Sequence, residues 1–251
     1  MSGPAGLPPS VRRSIEARAF LVQGSWNYRV MQGTGMAFAL IPLLRHLGLE
    51  GEELDRALER HADHFNAHPY LTSVALGALA RLEVDGAEPQ MVRRFRAAIR
   101  GPLGALGDRL IWAAWLPVTA VIGLLLHWSG RAGLWAVAAF VVLYNAVHLT
   151  LRFTGFRVGF ESGTGVGARL RALDASHWIE RIAVGLLVLV GGVVGLLIRD
   201  EAVGGMDPLW TGGATLAFLT GLLGGVRLWR PTAVLTLGLV ATLTLLGLRA
   251  G

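Results

Sequence analysis

Cysteine and lysine are both missing from this chain of 251 residues. The lack of cysteine excludes disulfides, thiolate nucleophiles and thiolate metal ligands. The lack of lysine leaves arginine to supply all 23 strongly basic side chains and excludes Schiff-base chemistry. Serine hydrolysis has no support, because no G-x-S-x-G sequence occurs. The stretch from Met1 to Ser10 lacks an apolar run, so we expect no cleavable signal peptide.

Charged residues are scarce as well. They make up 16% of the chain against 53% hydrophobic residues, and the mean hydropathy is +0.52. Ordinary soluble domains carry about a quarter charged residues, so this composition predicts an all-α, polytopic membrane protein. The net charge of +6 arises mainly from arginines in short loops between apolar runs. We interpret these arginines as topology signals and expect no nucleic-acid partner.

Five apolar spans are predicted, at about 101–128, 134–151, 181–198, 209–226 and 231–248. The connections rich in arginine are assigned to the cytoplasm, and these are 84–100, 152–181 and 227–230. The acidic loop 199–208 is assigned to the outside. From a cytoplasmic start, this arrangement puts the C-terminus outside.

The chain is expected to form one integrated membrane domain with two parts, residues 1–100 and 101–251. In the first part, residues 11–20 and 50–65 have the pattern of amphipathic helices. Residues 21–47 are apolar but are interrupted by glycines and polar side chains, which favours a re-entrant hairpin buried in protein.

The segment Phe65–Leu71 is a polar break with apolar sequence after it. His68 precedes a proline and is therefore disfavoured in helical geometry, while Pro69 suits the first residue of a new helix. That helix ends near Glu83 and is too short to cross a hydrocarbon core of about 30 Å. A half-length apolar helix is typical of a broken-helix site in a membrane transporter. An ordinary corner between two helices at the membrane edge is the alternative.

Polar interruptions in the first half of the chain supply candidate ligands for a solute, with aromatic residues beside them. The polar residues are Asn27, Gln32, Asn66, His68 and Asp108, and the aromatic residues are Trp26, Tyr70 and Trp112. Such a set suits a hydroxyl-rich ligand such as a sugar, although an amino acid fits this composition equally well.

Asp108 stands out because a carboxylate at membrane depth costs about 2.5–3.5 kcal/mol on insertion scales. We expect it to be retained for function, or else to pair near the interface with an arginine such as Arg100.

A metal site is the competing interpretation. His61, His64 and His68 stand at positions i, i+3 and i+7, with Asp63 nearby, and three such ligands suit catalytic zinc. We expect no metal, because His68 lies beyond the helix end and the spacing matches no zincin motif.

Four strings then occur in a fixed order along the chain. They are Ser25–Tyr28 with Met31–Gln32, Phe65–Leu71, Gly101–Asp108, and Tyr144–Leu149 running into Arg152. In these strings the chain resembles the IID membrane subunit of the mannose/fructose/sorbose family of the phosphoenolpyruvate-dependent sugar phosphotransferase system.

The resemblance implies an all-α subunit with broken helices that pairs with a IIC membrane subunit in the bacterial plasma (inner) membrane. It further implies trimers of IIC–IID pairs and a hexose bound at the boundary between the two subunits. Phosphate reaches the sugar from cytoplasmic IIA and IIB, so the chain is expected to be non-catalytic by itself and to need no cofactor. A non-transporting, IID-like scaffold or regulatory protein is the alternative.

By position, the resemblance also implies which residues form the sugar site or its immediate support. These are Trp26, Asn27, Gln32, Asn66, His68 and Asp108. Asn145 and His148 are expected to be structural.

Overall fold

The computed structural model describes residues 6–128, 133–172 and 174–199. The regular structure of these residues is helical, apart from two isolated β-bridges, Asn27–Met31 and Met31–Phe65. The predicted all-α class is therefore confirmed. The predicted spans 209–226 and 231–248, the loop beyond Arg199 and the C-terminus lie outside the described residues.

Nine α-helices, a π-helix and a 3-10 helix follow one another in the described part of the chain. The α-helices are α1 (Pro9–Ala19), α2 (Gly33–His46), α3 (Gly51–Ala62), α4 (Thr72–Val84), α5 (Pro89–Gly107), α6 (Leu116–Trp128), α7 (Gly133–Ser162), α8 (Val166–Ala172) and α9 (Ala175–Arg199). The π-helix (Asp108–Trp115) joins α5 to α6, and the 3-10 helix (Gly163–Gly165) joins α7 to α8. The chain divides into two compact units, Met1–Leu186 and Leu187–Gly251, and the first unit contains all the predicted site residues.

Two helical stretches, Pro89–His127 and Gly133–Ala172, are long and apolar enough to cross a membrane by length and composition. They overlap the predicted spans 101–128 and 134–151. The predicted span 181–198 lies within α9. The total number of spans, their orientation and the division at residue 100 stay predictions.

The amphipathic helices expected at 11–20 and 50–65 are present as α1 and α3. Most of the polar connection predicted at 84–100 is helical, because α5 begins at Pro89. The connection predicted at 152–181 is also mostly helical. Arginine, alanine and leucine are good helix formers, so clustered arginine signals a polar surface without ending a helix. The half-helix expected to start at Pro69 begins three residues later, at Thr72, after a turn closed by Leu71 N–H donating to the His68 carbonyl over 3.0 Å.

Helix α4 is the centre of the hydrophobic core. Eleven of its thirteen residues are buried, so it is enclosed on all sides, as expected of a helix that is apolar all round. Its main neighbour is α7, and the two backbones approach so closely that glycines are required on both helices. A Cβ at Gly77 would overlap the carbonyl oxygen of Phe156, and a Cβ at Gly159 would overlap that of Val74. Small residues allow this kind of close helix packing in membrane proteins.

A buried ionic cluster ties α3 to the end of α4. Glu83 accepts hydrogen bonds from Arg60 Nη2 at 2.6 Å and Arg60 Nε at 3.0 Å, and it contacts His61 Nε2 at 2.7 Å. His61 is fully buried and Glu83 is 8% exposed. Burial raises the pKa of Glu83, but the hydrogen bonds from His61 and Arg60 outweigh burial and lower that pKa to about 2. Burial also lowers the pKa of His61, against the raising effect of Glu83.

The Glu83 cluster predicts an acid-sensitive fold. Because the pKa of Glu83 falls from 4.5 to about 2 on folding, its stabilising effect is complete above about pH 4.5 and is lost as the pH falls toward 2. Glu83→Gln removes the charge partner of Arg60, whose side chain is only 12% exposed, and is expected to cost about 3–5 kcal/mol at pH 7. The variant should also lose less stability than the wild type as the pH is lowered. Thermal unfolding of the detergent-solubilised protein between pH 7 and pH 3 measures this loss.

Asp85→Asn is the matched control, because Asp85 pairs with Arg81 at 2.8 Å but is half exposed. Its cost is expected to stay within about 1 kcal/mol. This assignment would be contradicted if the two variants lost equal stability, or if the stability of Glu83→Gln fell with acid as steeply as that of the wild type.

Candidate functional site

Two non-helical loops meet at the break between α3 and α4. One loop spans residues 20–32, before α2, and the other spans residues 63–71. Phe65 N–H donates to the Val30 carbonyl over 3.2 Å, and Gln32 N–H donates to the Phe65 carbonyl over 2.9 Å. These bonds form a short parallel pairing, so each loop satisfies backbone groups of the other.

Gln32 continues this pairing with its side chain. Its Nε2 donates to the Ala67 carbonyl over 2.8 Å, and its Oε1 accepts from Ala67 N–H over 3.2 Å. Gln32 is 2% exposed, so its amide replaces a peptide group in a place that water does not reach. Gln32 therefore supports the backbone of the break, and both of its side-chain polar atoms are already occupied.

His68 is as enclosed as Gln32, at 2% exposure. Its Nδ1 accepts a hydrogen bond from Tyr70 N–H over 3.3 Å. Its ring meets Tyr70 and Trp112 edge-on, with ring centroids 4.9 and 5.6 Å apart. A Cβ at Gly107 would overlap Cβ and Cγ of His68, so the end of α5 lies directly against the imidazole.

This contact brings Asp108 to the break, because Asp108 follows Gly107 and begins the π-helix. Helices of this type often occur at functional sites. Asn66 also lies against α5, since a Cβ at Gly104 of that helix would be 3.8 Å from the Asn66 carbonyl oxygen. The side chains of Asn66 and Asp108 are exposed and form no hydrogen bond with the described residues. The structure thus gathers Asn66, His68 and Asp108 at one corner.

Trp26 and Asn27 lie at the surface turn of the first loop. Trp26 is 42% exposed and packs edge-on against Tyr28, with centroids 4.8 Å apart. Asn27 Oδ1 accepts from the backbone N–H groups of Arg29 and Val30, each at 3.1 Å. Asn27 therefore shapes the turn that delivers Val30 to the pairing. In the described part of the chain, neither side chain forms a hydrogen bond or ring contact with another predicted site residue.

Helix α5 also holds the start of the second loop through three arginines. Arg93 Nη1 pairs with Asp63 at 2.7 Å. Arg96 Nη2 donates to the carbonyls of His61 at 2.7 Å and Asp63 at 3.0 Å. Arg100 Nη1 donates to the His64 carbonyl over 3.1 Å, in place of the pair with Asp108 considered from the sequence.

The three histidines considered as metal ligands have different neighbours. His61 contacts Glu83, His64 Nδ1 lies 2.9 Å from Arg100 Nη1, and His68 accepts from Tyr70. The described residues contain no cluster of three or more histidine, aspartate or glutamate side chains that could hold a metal ion.

Helix α7 contributes contacts that were not predicted from the sequence. The ring of His148 stacks on Tyr70, with centroids 3.8 Å apart and planes 14° apart. The hydroxyl of Tyr70 donates to that of Tyr144 over 3.0 Å. Arg152, one turn further on, donates to the Ala19 carbonyl. A spacing of four residues places Tyr144, His148 and Arg152 on a single face of α7. This polar stripe is the sequence signal that could have revealed the contacts of α7.

Two clefts lie away from the break. One, of about 400 Å³, lies at the C-terminal end of α4 and includes Arg81 and Ser162. The other, of about 280 Å³, includes Arg45 and Leu54. Neither cleft is lined by a predicted site residue, so the corner presents Asn66 and Asp108 at a surface instead of enclosing them in one of these clefts.

Comparison with known proteins identifies the family. Residues 7–202 match the model of the "PTS system mannose/fructose/sorbose family IID component". The chain belongs to this family. The mannose-specific EIID component of Escherichia coli (strain K12) is 30% identical over 199 residues, which cover 77% of this chain and 68% of that protein. The fructose permease IID component of Bacillus subtilis (strain 168) is 27% identical over 190 residues, covering 74% of this chain and 67% of that protein.

Solved structures agree with this assignment of the IID chain. A chain in the cryo-electron microscopy structure of the mannose transporter ManYZ with microcin E492 is 28% identical and has a TM-score of 0.58. The match covers 75% of this chain and 70% of that one. A second structure, described only as a membrane protein, has a TM-score of 0.67 at 22% identity over 88% of this chain and 97% of that one, and it supports the fold alone. The family resemblance drawn from the four strings is confirmed.

The Gly107 contact predicts that added volume disturbs the corner. Gly107→Ala places a methyl group on the His68 side chain and is expected to cost about 1–3 kcal/mol. Gly104→Ala in the same helix meets its nearest neighbours at 3.8 Å, an ordinary van der Waals distance, and should be neutral or stabilising, since alanine favours a helix by up to about 1 kcal/mol over glycine. Thermal unfolding in detergent compares the two, and equal stability would refute the close contact.

The two hydrogen bonds from the Gln32 side chain to Ala67 also predict a loss of stability on substitution. Gln32→Leu leaves the N–H and carbonyl of Ala67 buried without partners, at a cost of about 1–3 kcal/mol for each group. Gln23→Leu, in the exposed part of the same loop, is the control and should leave stability nearly unchanged. Hydrogen exchange at the amide of Ala67 should speed up in Gln32→Leu only, and protected exchange there would show that the two side-chain bonds are dispensable.

Proposed function

We propose that this chain is the IID subunit of a phosphoenolpyruvate-dependent sugar transporter. It pairs with a IIC membrane subunit and helps to bind and translocate a hexose, which cytoplasmic IIB, charged by IIA, then phosphorylates. The subunit is not catalytic by itself. Supporting this proposal are the family and the relatives named for mannose, fructose and sorbose.

The observation that carries the proposal is the discontinuity between α3 and α4. Backbone that is not helical is tolerated at membrane depth where it is buried in protein or lines a cavity, and transporters place their substrate at such broken helices. Here the break is braced by Gln32, and it brings His68, Asn66 and Asp108 to one corner. The exposed side chains of Asn66 and Asp108 form half of a site, which suits a subunit whose partner covers it.

The six predicted site residues divide into two roles in this proposal. Asn66, His68 and Asp108 contact the sugar, with Trp112 beside His68 as an apolar wall for the ring. Gln32 and Asn27 hold the paired loops in place. Trp26, on the surface of the first loop, reaches the sugar only with the partner subunit in place.

The remaining features follow the family expectation. The protein is multi-pass in the bacterial inner membrane, with the C-terminus outside, and it assembles as trimers of IIC–IID pairs. Two described helices have the length and composition for spanning.

Sugar uptake tests the proposal. The chain is expressed with its IIC partner and the cytoplasmic carriers, and phosphoenolpyruvate-dependent uptake of mannose, fructose and sorbose is measured. Asn66→Ala and Asp108→Ala should each lower uptake of the transported sugar at least about tenfold, because each leaves a sugar hydroxyl unpaired once the partner subunit covers the site.

Gln90→Ala and Asp55→Ala are the matched controls, as both residues are exposed on other helices. Uptake that is unaffected by Asn66→Ala and Asp108→Ala would show that the site is assigned wrongly. Stable co-purification with IIC, but no uptake of any of the three sugars by the unmodified complex, would select the non-transporting scaffold instead.

A further inference from the structure

Two imidazole rings lie against Tyr70. His68, in the break itself, meets the phenol ring edge-on at 4.9 Å, and His148, from α7, stacks on it at 3.8 Å. The Nε2 atoms of both histidines are buried and have no hydrogen-bond partner among the described residues. A buried polar atom left unpaired costs about 1–3 kcal/mol, so two such atoms around one side chain call for an explanation.

The hydrogen bond at Nδ1 fixes the tautomer of His68. Its Nδ1 accepts from the backbone N–H of Tyr70, so this nitrogen carries no proton. In a neutral imidazole the other nitrogen is then protonated. Nε2–H of His68 is therefore a buried donor without an acceptor in the described part of the chain.

The same reasoning gives His148 the opposite tautomer. Asn145 Nδ2 donates to the Val141 carbonyl over 2.8 Å, which fixes the amide orientation and leaves Asn145 Oδ1 as an acceptor. His148 Nδ1 lies 3.4 Å from that oxygen and therefore carries the proton. Nε2 of His148 is then a buried acceptor, and no described residue donates to it.

An unpaired donor and an unpaired acceptor thus belong to the two imidazole rings that contact Tyr70. A hydroxyl group can donate and accept at the same time, and a molecule with several hydroxyls can satisfy both nitrogens. The phenol of Tyr144 adds to this set, because it accepts from Tyr70 and keeps its own proton to donate.

We propose that Nε2–H of His68 and Nε2 of His148 recognise hydroxyl groups of the transported hexose, so that α7 contributes a specificity-determining residue, His148, to the site. This inference rests on the proposed function and assigns His148 a role beyond the structural one expected from the sequence. Both nitrogens are closed off from solvent in this conformation, so the sugar reaches them only after the packing around Tyr70 opens.

Monodeoxy sugars test this assignment through a double-mutant cycle. The complex of this chain with IIC is purified, and the tightest binder among mannose, fructose and sorbose is measured beside its monodeoxy analogues. For the wild type, removal of the recognised hydroxyl should weaken binding roughly tenfold or more, because His148 is again left unpaired. His148→Phe retains a ring to stack on Tyr70 but has no acceptor, so it should bind the parent sugar and that one analogue about equally well.

Two further variants complete the design. His68→Phe should abolish discrimination at a different hydroxyl, the one that accepts from Nε2–H, and it provides an independent test if His148→Phe fails to assemble with IIC. His177→Phe changes an exposed histidine of α9 and should discriminate among the analogues as the wild type does.

The outcomes separate the two proposals. If the wild-type complex binds a hexose, but His148→Phe and His68→Phe retain its full pattern of discrimination, the two nitrogens serve ordered water or packing and this inference is wrong. A uniform weakening of all analogues would overturn it as well. If the unmodified complex binds no hexose at all, the proposed function fails and the inference falls with it.

Discussion

The break between α3 and α4 depends on the hydrogen bonds that its backbone receives from another loop. A peptide group without a partner is costly wherever water is absent, and most costly at membrane depth. The two loops lie side by side and satisfy each other's backbone groups. Phe65 N–H donates to the Val30 carbonyl, and Gln32 N–H donates to the Phe65 carbonyl. The amide of Gln32 then extends the pairing to Ala67, whose peptide groups would otherwise be buried without these partners.

Helix α5 contacts the same corner from a third direction. Its arginines bind the carbonyls at the start of the second loop, and its last glycine touches the imidazole of His68. One continuous helix therefore contacts both ends of the segment that carries Asn66 and also delivers Asp108. A displacement of α5 along its axis would therefore alter each of these contacts.

The break itself was predictable, since proline after His68 opposes helix and the residues on either side have helical periodicity. The composition likewise indicated the helical class and the first two spans. The partners of Gln32 and Tyr70 were not predictable, because they lie 35 and 74 residues away and no local preference encodes such contacts. The length of α5 does not follow from composition, because its arginine-rich first half resembles a polar connection, although the spacing of Arg93, Arg96 and Arg100 lets them line one helix face.

The enclosure of α4 has a consequence for how anything outside the chain can reach it. Neighbouring helices cover most of its sides, and the part left accessible lies at its C-terminal end, where Arg81 lines the larger cleft. Its N-terminal tip, where no side chain caps the first turn, faces the break. Amide groups at such a tip carry partial positive charge. A solute oxygen that arrives at this tip would meet the helix along its axis, after passing the nine residues before Thr72.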